Sequence, residues 1–304
     1  MRFPAGVVAV ALGLASVAMG QSPPPIFEFH SGFWINLHQF LIHEAAAPAT
    51  TETEPAEWRE AVDYYRREIA GRDLLQKGAA AINNLLAAAG SADELSAGGL
   101  GEQFAAVLGK AAPVYRRTRW AEHNRSNLAW IEAVKPLVAK YGAAMCTDIA
   151  AAYGTPWPKA PIRVDVSAYA GPVGAYTTVE PTHITISSTD KGYRGDAALE
   201  MLFHESSHSL DEKLQTELQR ELSARGLLFK RRNFGHAILF YTAGEVTLKY
   251  LTGYQPYDER NGILENAWPG SLVVLERDWK PYLDGRTDLE SAIRAVVADY
   301  GVAK

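Results

Sequence analysis

Cysteine is nearly missing: one residue, Cys146, stands in a chain of 304, so no intrachain disulfide can form and the fold has to rest on its apolar core. An unpaired cysteine within "YGAAMCTDIAAAYG" reads as a small buried hydrophobe rather than a nucleophile. Basic charge is not in excess either. A formal net charge of −5 leaves no patch suited to a phosphate backbone, which excludes nucleic acid as the partner. After the N-terminus no apolar run reaches the roughly 20 residues of a membrane span. There is no internal repeat, and no low-complexity segment beyond Ala-rich helix. What is present, 47% hydrophobic and 21% charged residues, suits a soluble globular protein with one or two sizeable cores.

The first twenty residues, "MRFPAGVVAVALGLASVAMG", carry one Arg, an apolar run from Ala5 to Met19, and small residues at the −3 and −1 positions, Ala18 and Gly20. That is the pattern of a Sec-type signal peptide over residues 1–20. The mature chain is expected to be exported, periplasmic or extracellular, with no stable membrane association after cleavage. No Cys near the cleavage site offers a lipoprotein anchor.

Residues 21–155 read as a mostly helical N-terminal region. "FWINLHQFLIHE" places Phe33, Leu37, Phe40 and Leu41 along one side of a helix, and Pro55 suits the first turn of the next one, through "WREAVDYYRREIAGRDLLQ". "KGAAAINNLLAAAG" and a long stretch from about Tyr115 to Ala152 follow, the latter expected to kink or split at Pro136. Residues 156–304 form a second region. Prolines 156, 158 and 161 mark a linker; "IRVDVSAY" and "THITISS" alternate as half-buried strands of a small antiparallel sheet, with "AYTTV" between them after a turn at Gly171, Pro172 and Gly174. The chain then returns to helix, ending at "TDLESAIRAVVADYG", with Thr287 and Glu290 as a capping box and Gly301 as the stop. The expected class is helix-rich α+β.

One helix carries a chemical pattern. In "GDAALEMLFHESSHSLDEKL", Asp196 suits the N-cap, Leu199, Leu202, Phe203, Ser206, Leu210 and Leu214 fall on one side, and His204, His208 and Asp211 fall on the other. Residues at i and i+4 sit one above the other, so two imidazoles can converge on one ion while Glu205 approaches a water bound to it. Random placement yields roughly 0.015 such pentapeptides in a chain of this composition. The plain alternative is a solvated pair of histidines on an ordinary amphipathic helix.

"HESSH" on a helix that follows an alternating strand resembles the zincin group of metallopeptidases, over roughly residues 162–252. The resemblance implies a zinc ion held by His204 and His208, Glu205 as general base, a peptide or protein substrate, and a role for "THITISS" as the cleft edge that pairs with extended peptide. It also implies a third ligand. Asp211 and Leu214 stand where the metzincin pattern has Gly and His, so that branch is excluded. The gluzincin pattern takes a Glu from a later helix, for which Glu245 in "HAILFYTAGEVTLKYL" is the candidate, 37 residues after His208. Its competing reading is a surface Glu paired with Lys249. His236 is the rival ligand, and Asp211 suits a hydrogen bond to an imidazole better than coordination. Peptidases of this kind add a Tyr or His that donates to the oxyanion; Tyr241 and His236 are the candidates.

His30, His38 and His43 read as packing or surface residues, since the last two lie about 140° apart on a helix. "YRRTRWAEHNR" reads as a solvated helix face and "FKRRNF" as a loop. The expectation is thus an exported zinc metallopeptidase of gluzincin type. The second reading, from another class, is a non-catalytic exported binding protein or degenerate peptidase scaffold with structural histidines.

Overall fold

The computed structural model describes residues 25–48, 53–69, 71 and 77–303; the expected signal peptide, residues 1–20, lies outside them. Strand β1 (Phe27–His30) leads into helices α1 (Phe33–Ala46), α2 (Ala56–Glu68), α3 (Lys77–Ala89) and α4 (Glu102–Tyr115). The apolar spacing of "FWINLHQFLIHE" becomes α1, but α1 is central rather than amphipathic: every residue from Phe33 to Ile42 is buried. Helix α4 runs through a π-helical turn, Arg116–Trp120, into α5 (Ala121–Tyr153), which stops at Gly154 in the left-handed region, φ 61°. Pro136 neither ends nor splits α5. It lies on an exposed face, where the carbonyl it leaves without a donor can be met by water.

Strands β2 (Ile162–Ser167), β3 (Ala175–Val179) and β4 (Thr182–Ser187) join β1 in one sheet of order β1-β2-β4-β3. The sheet is mixed, not antiparallel as expected: β1, β2 and β4 run parallel and only β3 is reversed. The reason is placement: β4 returns beside β2 with β3 outside it, and β1 enters from before the helical layer, neither of which local alternation can reveal. It follows that β4, the "THITISS" strand, lies between two neighbours, while β3 holds the free edge.

Helix α6 (Asp196–Ser207), α7 (Glu212–Arg225), strand β5 (Leu227–Phe229) and α8 (Phe234–Leu248) come next. Short helices α9 (Tyr257–Asn261), α10 (Ile263–Ala267), α11 (Ser271–Val274) and α12 (Lys280–Leu283) then lead to α13 (Leu289–Tyr300) and β6 (Gly301–Ala303), which pairs with β5. The cap of α13 is Asp288, which accepts from the Ser291 N–H, rather than the Thr287–Glu290 box. No helix among the described residues is long and apolar enough to cross a membrane.

Two apolar cores form. One gathers α1 to α4 around Phe33, Trp34, Trp58, Tyr65, Phe104 and Tyr115. The other gathers α5 through α13 on one face of the sheet, where Val164, Val166, Ile184 and Ile186 point. The cores divide within the long helix rather than at residue 155, because Trp130, Ile131, Met145 and Ile149 of α5 belong to the second. The other sheet face is polar and equally buried. There Asp165 takes Arg163 Nε at 2.5 Å and His183 Nε2 at 2.8 Å, and these partners outweigh the burial that opposes its charge, holding its carboxyl below the usual range.

Candidate metal centre

Helix α6 is the centre of the molecule, with every residue from Ala197 to Ser207 buried. It ends sooner than its apolar pattern suggests. Ser206 and Ser207 turn their hydroxyls back onto the carbonyls of Leu202 (2.7 Å) and Phe203 (2.8 Å). The next N–H groups, of His208, Ser209 and Leu210, then bond three residues back, which tightens the last turn. His208 is the C-cap but keeps helical dihedrals, φ −60° and ψ −22°, so its ring stays over that of His204, with centroids 5.3 Å apart. Asp211 and Leu214, expected on the same helix, belong to the N-cap and the body of α7.

The third imidazole comes from α8. His236, in its first turn, sets Nε2 3.1 Å from His204 Nε2, and one nitrogen from each of His204, His208 and His236 lies within 4.8 Å of the other two. Two nitrogens bound to one tetrahedral zinc at about 2.1 Å would stand about 3.4 Å apart, so the observed pair fits a shared ion. All three rings are held neutral, as ligation requires. Burial drives His204 well below its usual value, with His236 and His208 adding to the effect and the Leu239 backbone opposing it. Burial, and then His236, takes His208 down to about 3, and burial alone takes His236 down to about 4. Phe240, one turn after His236, stacks on both His204 (3.9 Å) and His236 (4.8 Å) and shields them from water. Nδ1 of His204 is buried without a hydrogen-bond partner.

Glu245 is not at this cluster. It lies nine residues beyond His236, about 13 Å of axial rise along α8, where its Oε2 pairs with Lys280 Nζ at 2.9 Å. Lys249, its expected partner, pairs instead with Asp148. The physical reason is the crossing of the helices: α8 meets the histidine pair with its N-terminal turn, so the residue presented is His236. Tyr241, one position past Phe240, is buried with an unpartnered hydroxyl, and burial and then Glu245 push its pKa up. It does not line the cleft.

Glu205 does, beside the three histidines, in a cleft of about 660 Å³. Its Oε2 accepts from Thr177 Oγ1 at 2.7 Å, and burial raises its carboxyl to about 7 against the lowering effect of that bond. The wall opposite α6 is β3, with Ala175, Tyr176 and Thr177. Tyr193 and Tyr257 line the other end, in hydrogen-bond contact with each other, and the Tyr193 hydroxyl donates to the Val173 carbonyl at 2.7 Å. Among the described residues no Lys or Arg lines the cleft, whereas Asp211 does, accepting from Gln215 Nε2 at 2.7 Å rather than from an imidazole. Thr177, Tyr193 and Tyr257 had no signal in the sequence, because they sit in a strand, a loop and a short helix that carry no chemical motif.

Outside the cleft, His38 bonds Tyr65 at 2.7 Å, His43 stacks on Tyr169, and His30 faces Glu28. Burial raises Cys146 to about 12. Compared with protein-family models, with curated proteins and with solved structures, the chain has no significant match.

Proposed function

We propose that this protein is an exported zinc-dependent metallopeptidase in which His204, His208 and His236 hold the metal and Glu205 is the general base. The observation that carries the reading is the convergence of three neutral imidazoles, His204 buried and His208 and His236 half-buried, beside a buried carboxylate in an open cleft. A zinc ion bound there would supply Lewis acidity and lower the pKa of a coordinated water. Three protein ligands with room for a fourth partner suit a catalytic rather than a structural site.

The chain's own groups have distinct tasks. Glu205, fixed through one oxygen by Thr177, keeps the other free to take a proton from water and deliver it to the leaving amine. The free edge of β3 offers unpaired backbone groups to an extended peptide, the role first expected of β4. Tyr257 takes the place expected of Tyr241, with a hydroxyl in the cleft able to donate to a carbonyl oxygen. Phe240 and Leu239 exclude water from the histidine side. The apolar leader at residues 1–20 supports substrates outside the cytoplasm.

The test is zinc content and hydrolysis of a mixed peptide library, side by side. Wild type should bind one zinc per chain and cleave in a chelator-sensitive way, and Glu205→Gln should keep the zinc and lose cleavage. Zinc binding without cleavage in the wild type would favour the non-catalytic scaffold.

A further inference from the structure

Strand β3 is the wall that carries the hydrogen-bond donor to Glu205, yet it is an edge strand with β4 as its one neighbour in the sheet. Something besides the ladder has to hold it in place. Side chains alternate along a strand, so Thr177 faces α6 while Tyr176 turns to the opposite side, toward the helical layer. There the Tyr176 hydroxyl accepts from Gln39 Nε2 of α1 at 2.6 Å and from Asn83 Nδ2 of α3 at 2.5 Å. Gln39 does more: its Oε1 accepts the Gly171 N–H at 2.9 Å, in the turn that delivers the chain to β3. Gln39 and Asn83 are 0% and 1% exposed, Tyr176 6%. A buried amide pair aimed at one hydroxyl is a rigid tether, because any displacement of the strand would leave those donors unsatisfied.

We infer that Gln39 and Asn83 are positioning residues for the general base: by fixing Tyr176 they fix β3, and through the adjacent Thr177 they fix the Glu205 carboxylate. The inference rests on the peptidase reading and gives the N-terminal helical layer a task in that reaction. The two faces of one short strand connect α1 and α3 to α6: Gln39 and Asn83 bond Tyr176 at 2.6 and 2.5 Å, the backbone joins Tyr176 to Thr177, and Thr177 bonds Glu205 at 2.7 Å. An error of about 1 Å in a catalytic group costs on the order of 100-fold in rate.

The experiment is a double-mutant cycle in the zinc-loaded, full-length chain, with kcat, KM, zinc content and melting temperature measured for each variant. Tyr176→Phe should lower kcat by roughly 10- to 100-fold with zinc retained and KM changed less. Asn83→Ala and Gln39→Ala should act in the same direction, and they serve if Tyr176→Phe does not fold. Thr177→Val should lower kcat, and Thr177→Ser, which keeps the hydroxyl, should restore it. In the Thr177→Val background Tyr176→Phe should add less than about threefold, since the route to Glu205 is already cut. Losses that multiply, or a lower melting temperature with kcat unchanged, overturn the inference and leave a purely structural network. Hydrogen exchange over residues 171–179 reads the tether without activity: Tyr176→Phe should speed it, and unchanged exchange overturns the inference whatever the rates. A wild type that cleaves no peptide counts against the peptidase reading, a result the exchange measurement does not depend on.

Discussion

Replacing His236 with alanine, beside Glu245→Ala and His204→Ala, separates the observed cluster from the partner that helix periodicity suggested. Zinc bound by a full set of protein ligands is worth about 10–16 kcal/mol near neutral pH, which assigns about 3 kcal/mol to each imidazole. Loss of His236, whose Nε2 lies 3.1 Å from that of His204, should therefore weaken zinc binding on the order of 100-fold, and loss of His204 by as much or more. Glu245 faces Lys280 at 2.9 Å in a half-exposed pair worth about 0–1 kcal/mol of stability, so its replacement should change zinc affinity less than about twofold. Competition titration against a chromogenic chelator gives the affinities. Thermal unfolding gives an independent reading, because zinc at about 100 times its Kd should add about 2.7 kcal/mol to wild type and little to His236→Ala. Full zinc affinity in His236→Ala, or its loss in Glu245→Ala, would refute the assignment of the third ligand.

Glu205→Gln should leave zinc affinity within about threefold of wild type and reduce kcat by about 100- to 10,000-fold, measured on one fluorogenic peptide. His38 supplies a test of stability against pH. Burial takes its pKa down to about 3, from about 6.5 in an unfolded chain, so between those values the unfolded state binds the extra proton. This contribution is therefore complete above pH 6.5 and falls with acid, by up to about 2.7 kcal/mol at pH 4.5; the fall in urea midpoint between the two pH values should be smaller in His38→Gln than in wild type, the remainder coming from His123 and the cleft histidines that burial also lowers, and an equal fall in both proteins would show that His38 is not responsible. Gly174, at φ 81° in the turn before β3, has room for no side chain, since a Cβ would come 2.5 Å from Tyr193 Cε2 and 2.7 Å from Asp190 Oδ2. Gly174→Ala should cost at least about 1–3 kcal/mol by calorimetry, and an unchanged melting temperature would contradict the turn geometry.

The parts of the fold legible in the chain were those whose cause is local. Apolar spacing located α1, α3 and α6, and alternation located β2 and β4, because burial of one face dictates which positions are apolar. What alternation does not contain is the identity of the strand on each side. The exchange of roles between β4 and β3 at the cleft, and the parallel direction of β1, are consequences of that. Helix ends were misread where the chain tightens locally: α6 ends after two serines that bond back onto their own helix, at a point that apolar spacing runs straight through.

The pentapeptide His204-Glu205-Ser206-Ser207-His208 determined by itself that two imidazoles and a carboxylate share one turn, since i and i+4 stack in any helix. The third histidine, the threonine that holds Glu205 and the glutamine and asparagine behind it come from four other elements. Their meeting depends on where α8 crosses α6 and on which strand forms the sheet edge. These are properties of packing between distant segments, and only the tertiary structure decided them: it put His236, and not Glu245, beside His204.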